Sequence, residues 1–178
     1  MKTLIATMMT LAMIAGAGLA SDLSLYGSHW DTDELDDVWG GGARLRLGSG
    51  APLWLELRGT YFEDLTEDTP LFDVDLEAIP VDLGLALNIL PTDKGTLYLA
   101  GGGTYFFLDS NVGDVDDEVG WYAGVGGEIA LSAHVSLFAE FLYRDVEGTV
   151  EDDDPEDIED RVDIDLEGNV VNVGLVLR

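Results

Sequence analysis

The sequence predicts an all-β chain, an eight-stranded antiparallel up-and-down transmembrane β-barrel with long acidic extracellular loops and short periplasmic turns. Three observations predict it. Segments of roughly ten residues alternate apolar and polar side chains at period two, as strands facing lipid and lumen must. The carboxylates gather in four patches between alternate segments. The other connections are short and built from turn residues.

The first twenty residues read separately. Lys2 precedes an apolar run from Leu4 to Ile14, broken only by Thr7 and Thr10, and Gly16-Ala17-Gly18-Leu19-Ala20 offers small residues for a cut after Ala20. That is the pattern of a secretory signal peptide over 1–20, which leaves 21–178 as the barrel. No later run of eighteen apolar residues exists, so a helical span is not expected. The formal charge of −28 repels nucleic acid and anionic headgroups, leaving cations, basic proteins or divalent-bridged lipopolysaccharide as partners. Zero cysteines exclude disulfides and thiolate chemistry.

Strands are expected over 22–30, 38–48, 53–62, 73–89, 96–108, 118–131, 134–145 and 162–178. Of 36 carboxylates, 30 lie within Asp31–Asp37, Glu63–Glu77, Asp109–Glu118 and Asp145–Glu167, the loops after strands one, three, five and seven. Ser49-Gly50-Ala51-Pro52, Pro91-Thr92-Asp93-Lys94-Gly95 and Ser132-Ala133 make the short turns. Long loops on one side and short turns on the other put both termini in the periplasm.

Parity then assigns faces. In the second strand Trp39, Gly41, Ala43, Leu45 and Leu47 are apolar, while Arg44 and Arg46 take even positions. Leu53, Leu55, Leu57 and Tyr61 oppose Glu56, Arg58 and Thr60 in the third strand, and Ile79 to Leu87 oppose Asp82 and Gly84 in the fourth. In the sixth, seventh and last strands, odd-numbered apolar rows likewise oppose Glu128, Glu140 with Arg144, and Asn172 with Gly174. A soluble acidic β-sandwich, the alternative architecture, would keep its apolar row inside. Trp39, Tyr61, Tyr105, Phe107, Trp121 and Tyr143 share the apolar face near the acidic-loop ends, as an interfacial aromatic girdle requires. Gly40 to Gly42, Gly101 to Gly103, Gly124, Gly126 and Gly127 sit inside strands, where a tightly curved barrel needs bends and close backbone approach.

The segment from Val135 through Glu140 to Arg144, and the terminal run Asn169 to Arg178, resemble strands of the small outer-membrane β-barrel family of the OmpA/OmpX type. The resemblance covers residues 21–178 and implies a monomeric, porin-like barrel in the outer membrane of a Gram-negative bacterium. It also implies outer-membrane lipid and lipopolysaccharide as surroundings, and insertion machinery that reads a terminal aromatic residue. Here Arg178 stands at that position.

Arg44, Arg46, Arg58 and Arg144 are expected to face Glu56, Asp82, Glu128 and Glu140 across the lumen. An eight-stranded interior is just wide enough for side chains to fill, and charges there must be paired. Either same-face register across the Ser49–Pro52 turn sets Glu56 beside Arg44 or Arg46. The reading is a salt-bridged plug, with a narrow pore made by the same residues as the alternative. Asp152, Asp153, Asp154, Glu156 and Asp157 are the candidate cation ligands. Their spacing lacks the glycine and alternate-residue pattern of a calcium loop, so divalent screening of a solvated charge block is expected. Among histidines, His29 is expected at the outer interface. His134-Val135-Ser136 resembles the His-x-Ser of outer-membrane lipid A deacylases, but Leu137 replaces the following Asn and the site falls at the periplasmic end. No cofactor and no enzymatic activity are expected. The function read from these features is a structural or surface-interaction barrel, with the small-solute conduit as the other reading.

Overall fold

The computed structural model describes residues 21–32, 37–48, 52–66, 75–92, 94–110, 118–150, 162–165 and 167–178. Residues 1–20, expected as a signal peptide, and the candidate ligands Asp152, Asp153, Asp154, Glu156 and Asp157 lie outside the described residues.

Nine strands are described: β1 (Ser21–Thr32), β2 (Val38–Leu47), β3 (Leu53–Thr66), β4 (Asp75–Thr92), β5 (Gly95–Ser110), β6 (Glu118–Ala130), β7 (Val135–Val150), β8 (Val162–Asp165) and β9 (Gly168–Leu177). Each of β1 to β7 pairs antiparallel with its successor, β7 pairs with β9, and β9 returns to β1, so eight staves close a ring. The expected last strand, 162–178, is divided into β8 and β9. The two keep one register on β7, with Glu147 opposite Asp165 and Arg144 opposite Gly168. The last described pair between β1 and β9 is Thr32 with Gly168, and among the described residues β8 pairs with β7.

In the wall registers even-numbered residues meet even-numbered ones, except beyond Phe62 in the β3–β4 ladder and beyond Asn88 in the β4–β5 ladder, so between those shifts one parity faces inward right round the barrel. A lateral row of partners shows the consequence. It starts at Asp22, passes Arg46, Glu56, Gly84, Gly102, Tyr122, Arg144 and Gly168, and re-enters β1 at Thr32, ten residues further along. That stagger is the geometric partner of strand tilt and fixes the bore. Among the described residues the wall is irregular at two places. The β3–β4 ladder steps from Gly59↔Val81 to Phe62↔Ala78 past Pro80, which has no N–H to donate, and then shifts register before Leu65. The β4–β5 ladder shifts register between Asn88 and Leu90.

The odd-numbered row faces out. Leu25, Leu55, Leu83, Leu85, Leu99, Val125, Phe141, Val173 and Leu175 are all exposed large apolar residues. In water such a surface would be a severe aggregation liability, whereas in hydrocarbon it is the required solvent face. Trp39, Tyr61, Tyr105 and Trp121 stand exposed on this row at the acidic-loop end, with Phe107 and Tyr143 half-buried beside them. The rings associate in pairs, Tyr105 with Phe107 at 4.8 Å and Trp121 with Tyr143 at 5.7 Å between centroids. His29 joins the same rim, its ring 4.6 Å from that of Trp39 and its Nε2 3.6 Å from Asp37.

A charge introduced near mid-height on the outward row is therefore expected to destabilise the barrel strongly. Leu85→Arg should cost about 2–4 kcal/mol in folding from urea into bilayers, and a charge placed at the girdle about 0–1 kcal/mol.

Candidate functional site

The inward row is apolar towards the acidic-loop end, and towards the short-turn end it interleaves charged side chains with Trp54, Ala86, Tyr98, Phe138 and Val176. At the outer end Trp30, Val38, Phe62, Ala78, Phe106, Leu142, Val146 and Val170 form one buried cluster. The Trp30 indole lies at its centre, 5.3 Å from the Phe62 ring and 5.7 Å from that of Phe106. Below this layer lie Arg44, Arg46, Glu56, Arg58, Asp82, Glu128, Glu140 and Arg144, every one of them no more than 4 % exposed.

Strand register decides which of these meet. The β2–β3 hairpin sets Arg46 opposite Glu56, and Arg46 Nε donates to Glu56 Oε2 at 2.8 Å. The same register puts Arg44 directly opposite Arg58, a like-charge pair that would repel if left alone. Two carboxylates separate their charges. Glu56 accepts from Arg58 on one oxygen and lies 3.9 Å from Arg44 Nε on the other. From across the lumen, Glu140 accepts from Arg44 Nη1 at 3.0 Å, and its other oxygen stands 2.8 Å from Arg58 Nη1.

Two further contacts complete the middle of the network. Tyr98 accepts from Arg44 and donates to Glu140, each at 3.0 Å, and Asn172 donates to Glu140 Oε1 at 3.1 Å. Ser24 accepts from Arg44 at 3.2–3.3 Å. Towards the apolar layer, Asp82 accepts from Arg144 Nη2 at 2.7 Å and from the Thr104 hydroxyl at 2.6 Å, with Arg58 Nε 3.8 Å away. Towards the short-turn end, Glu128 accepts from Arg46 Nη1 at 2.6 Å.

Each buried guanidinium also lies over aromatic surface. Arg44 sits 4.1 Å from the Phe138 ring, Arg46 4.0 Å from Tyr98, Arg58 5.3 Å from Tyr122 and Arg144 5.5 Å from Phe106. A planar, weakly hydrated cation tolerates such stacking in a way an ammonium does not. Space for the tyrosines comes from glycine, in the next strand for Tyr98 and two strands away for Tyr122. A Cβ on Gly126 would collide with the Tyr98 ring, and one on Gly84 with the Tyr122 hydroxyl.

Sequence reasoning left Asp22, Ser24, Tyr98, Thr104, Asn172 and Arg178 out of the network. All are even-numbered, so parity places them on the inward row, as the sequence reading does for Asn172 and Tyr98, but parity does not say which charge each one meets. His134 lies in the exposed β6–β7 turn, and Ser136 is buried on the first turn of the inward row of β7. Among the described residues no group of three His, Asp or Glu side chains is arranged to hold a metal ion.

The geometry makes Arg58 the cation with most to lose. Arg58→Ala takes one cation partner from each of Glu56, Glu140 and Asp82, leaves the bore with one excess buried negative charge, and should cost about 3–5 kcal/mol in urea unfolding. Arg58→Lys should restore only part of that, since one ammonium cannot span three carboxylates and a ring.

The family described as the outer membrane protein beta-barrel domain matches residues 3–178. No curated protein sequence matches the chain. Among solved structures, the barrel is similar to outer membrane protein OprG from Pseudomonas aeruginosa, with a TM-score of 0.66 at 15 % identity over 88 % of this chain and 94 % of that one. It is also similar to outer membrane protein W of E. coli, with a TM-score of 0.63 at 13 % identity over 90 % and 98 %. Neisserial surface protein A gives 0.61 at 11 % over 88 % and 94 %. At such identities these likenesses speak for the fold. An inward row of paired charges, an outward apolar row under an aromatic girdle, and a family match spanning nearly the whole sequence converge on one conclusion: this chain is a small β-barrel protein belonging to the outer membrane protein β-barrel domain family.

Proposed function

We propose that this protein is a closed, non-enzymatic barrel of a Gram-negative outer membrane, exported with loss of residues 1–20, and that its acidic loops are its working surface. The observation that carries the reading is the filled bore. Five arginines and five carboxylates neutralise one another inside, under an apolar layer whose Trp30 and Phe106 are fully buried. A pore of this size would need those side chains elsewhere, because an eight-stranded interior has room only for the side chains that fill it.

The same allocation of charge shapes the outside. Of the eight Lys and Arg residues, Arg44, Arg46, Arg58, Arg144 and Arg178 are committed to the lumen, Lys94 lies at a short turn and Lys2 in the leader. That leaves Arg161 as the lone cation among the 30 carboxylates of the four loop patches. Lipopolysaccharide phosphates would therefore meet this rim through shared divalent cations, with carboxylate and phosphate oxygens on the same ion. A basic partner protein would be drawn to the surface by the same field.

Planar-bilayer recording of the refolded protein tests the reading, with and without millimolar calcium. Correctly inserted protein should be silent in both conditions. Discrete conductance steps would overturn the closed-barrel reading in favour of the narrow conduit, and calcium block of those steps would assign the gate to the loops.

A further inference from the structure

The charge network does not stop at Glu128. At the short-turn end of the lumen, Arg178 turns inward, being on the even row, and its backbone N–H donates to His134 O at 3.0 Å. Its guanidinium touches three other strands. Nε donates to Asp22 Oδ2 on β1 at 3.2 Å, Nη1 to Ser136 Oγ on β7 at 2.5 Å, and Nη2 to Glu128 Oε2 on β6 at 2.5 Å. Glu128 thus holds Arg178 on one oxygen and Arg46 on the other, so alternating charges run from the mouth to the middle of the bore.

The two ends of the lumen are closed by different means. The outer end carries the apolar cluster around Trp30. The short-turn end has Arg178, whose side chain is 39 % exposed while the Glu128 carboxylate behind it is 3 % exposed. An apolar layer opens only by repacking several strands. A single partly hydrated side chain opens by rotating about its own bonds.

We propose that Asp22, Glu128 and Ser136 form a cation-holding mouth at the periplasmic end of the lumen, and that Arg178 is its resident occupant, a latch that a small cation can replace. The guanidinium supplies three directed donors to two carboxylates and a hydroxyl, and it draws β9 to β1, β6 and β7. With the latch removed, Asp22 and Glu128 lose a positive partner and the vestibule faces the periplasm with a negative lining. Its ligands are then small hard or organic cations, and anions are refused. This rests on the closed-lumen reading, and the bilayer recording tests that reading separately.

The chain has no cysteine, so a single introduced thiol reports on one position. Ser136 is 1 % exposed directly behind Arg178, and Ser28, also 1 % exposed, lies deeper in the barrel. The experiment measures labelling of Ser136→Cys by a cationic and an anionic methanethiosulfonate reagent, in the parent and in Arg178→Gln. Losing a charge-assisted hydrogen bond of this kind should raise the Ser136→Cys rate roughly tenfold or more. The cationic reagent should gain most, and Ser28→Cys should stay unlabelled in both backgrounds. An unchanged rate at Ser136→Cys would overturn the latch. Equal gains for both reagents would overturn the cation-holding mouth. Parallel labelling of Ser28→Cys would show that Arg178 merely holds the whole barrel together.

Discussion

The structure depends on one constraint: charges enclosed by eight tilted strands must neutralise one another inside the bore. The ten-residue stagger fixes the width, and the width leaves room for side chains but for little else. Thirty carboxylates lie in the loop patches, and of the other six only Asp93 falls in a turn. The remaining five, Asp22, Glu56, Asp82, Glu128 and Glu140, each meet an arginine inside. A chain of net charge −28 thus keeps a balanced interior, with its excess in four patches of the sequence between alternate strands. Burying an ion pair is rarely a net gain over apolar packing, but a lone buried charge is far worse. The pairing therefore constrains which arrangements are tolerable more than it adds stability, and it selects the register in which every carboxylate finds a cation.

Arginine suits this interior for a second reason. Each of the four deepest guanidiniums offers edge donors to carboxylates and a face to an aromatic ring, so polar and apolar contacts share one side chain. Tyr98 links the two kinds of contact. Its ring carries Arg46, its hydroxyl joins Arg44 to Glu140, and Gly126 leaves it room to lie across the neighbouring strand. Low identity to barrels of the same shape follows from the same physics. Lipid demands only alternation and apolarity of the outward row, while any self-neutralising set can fill the inside.

The fold was legible because period-two alternation and loop composition report on one strand at a time. Leu53, Leu55 and Leu57 against Glu56 and Arg58 declare the faces of β3 without knowledge of any other strand. The contacts inside were not legible, because they depend on how the stagger sets strands at different heights across the bore. The Arg44–Arg58 opposition follows from the β2–β3 turn register, which the sequence left open between two choices. The joining of Glu140 to Arg44 and Arg58 requires β7 to face β2 and β3 across the lumen. Arg178 escaped notice for another reason. It was read against an expected terminal aromatic, whereas its even position places it on the inward row beside Glu128. The division of the last strand was likewise invisible, since β8 continues the register of β9 on β7.

The central claim, that inward charges are tolerated only as pairs, is tested most directly by a double-mutant cycle on Asp82 and Arg144, joined at 2.7 Å below the apolar layer. Unfolding by urea in bilayers would be measured for Asp82→Leu, Arg144→Met and the double variant. Each single change should cost about 3–5 kcal/mol, and the double variant less than the worse single, because no lone charge remains. Costs that simply add would contradict the account, since the two residues would then be contributing independently.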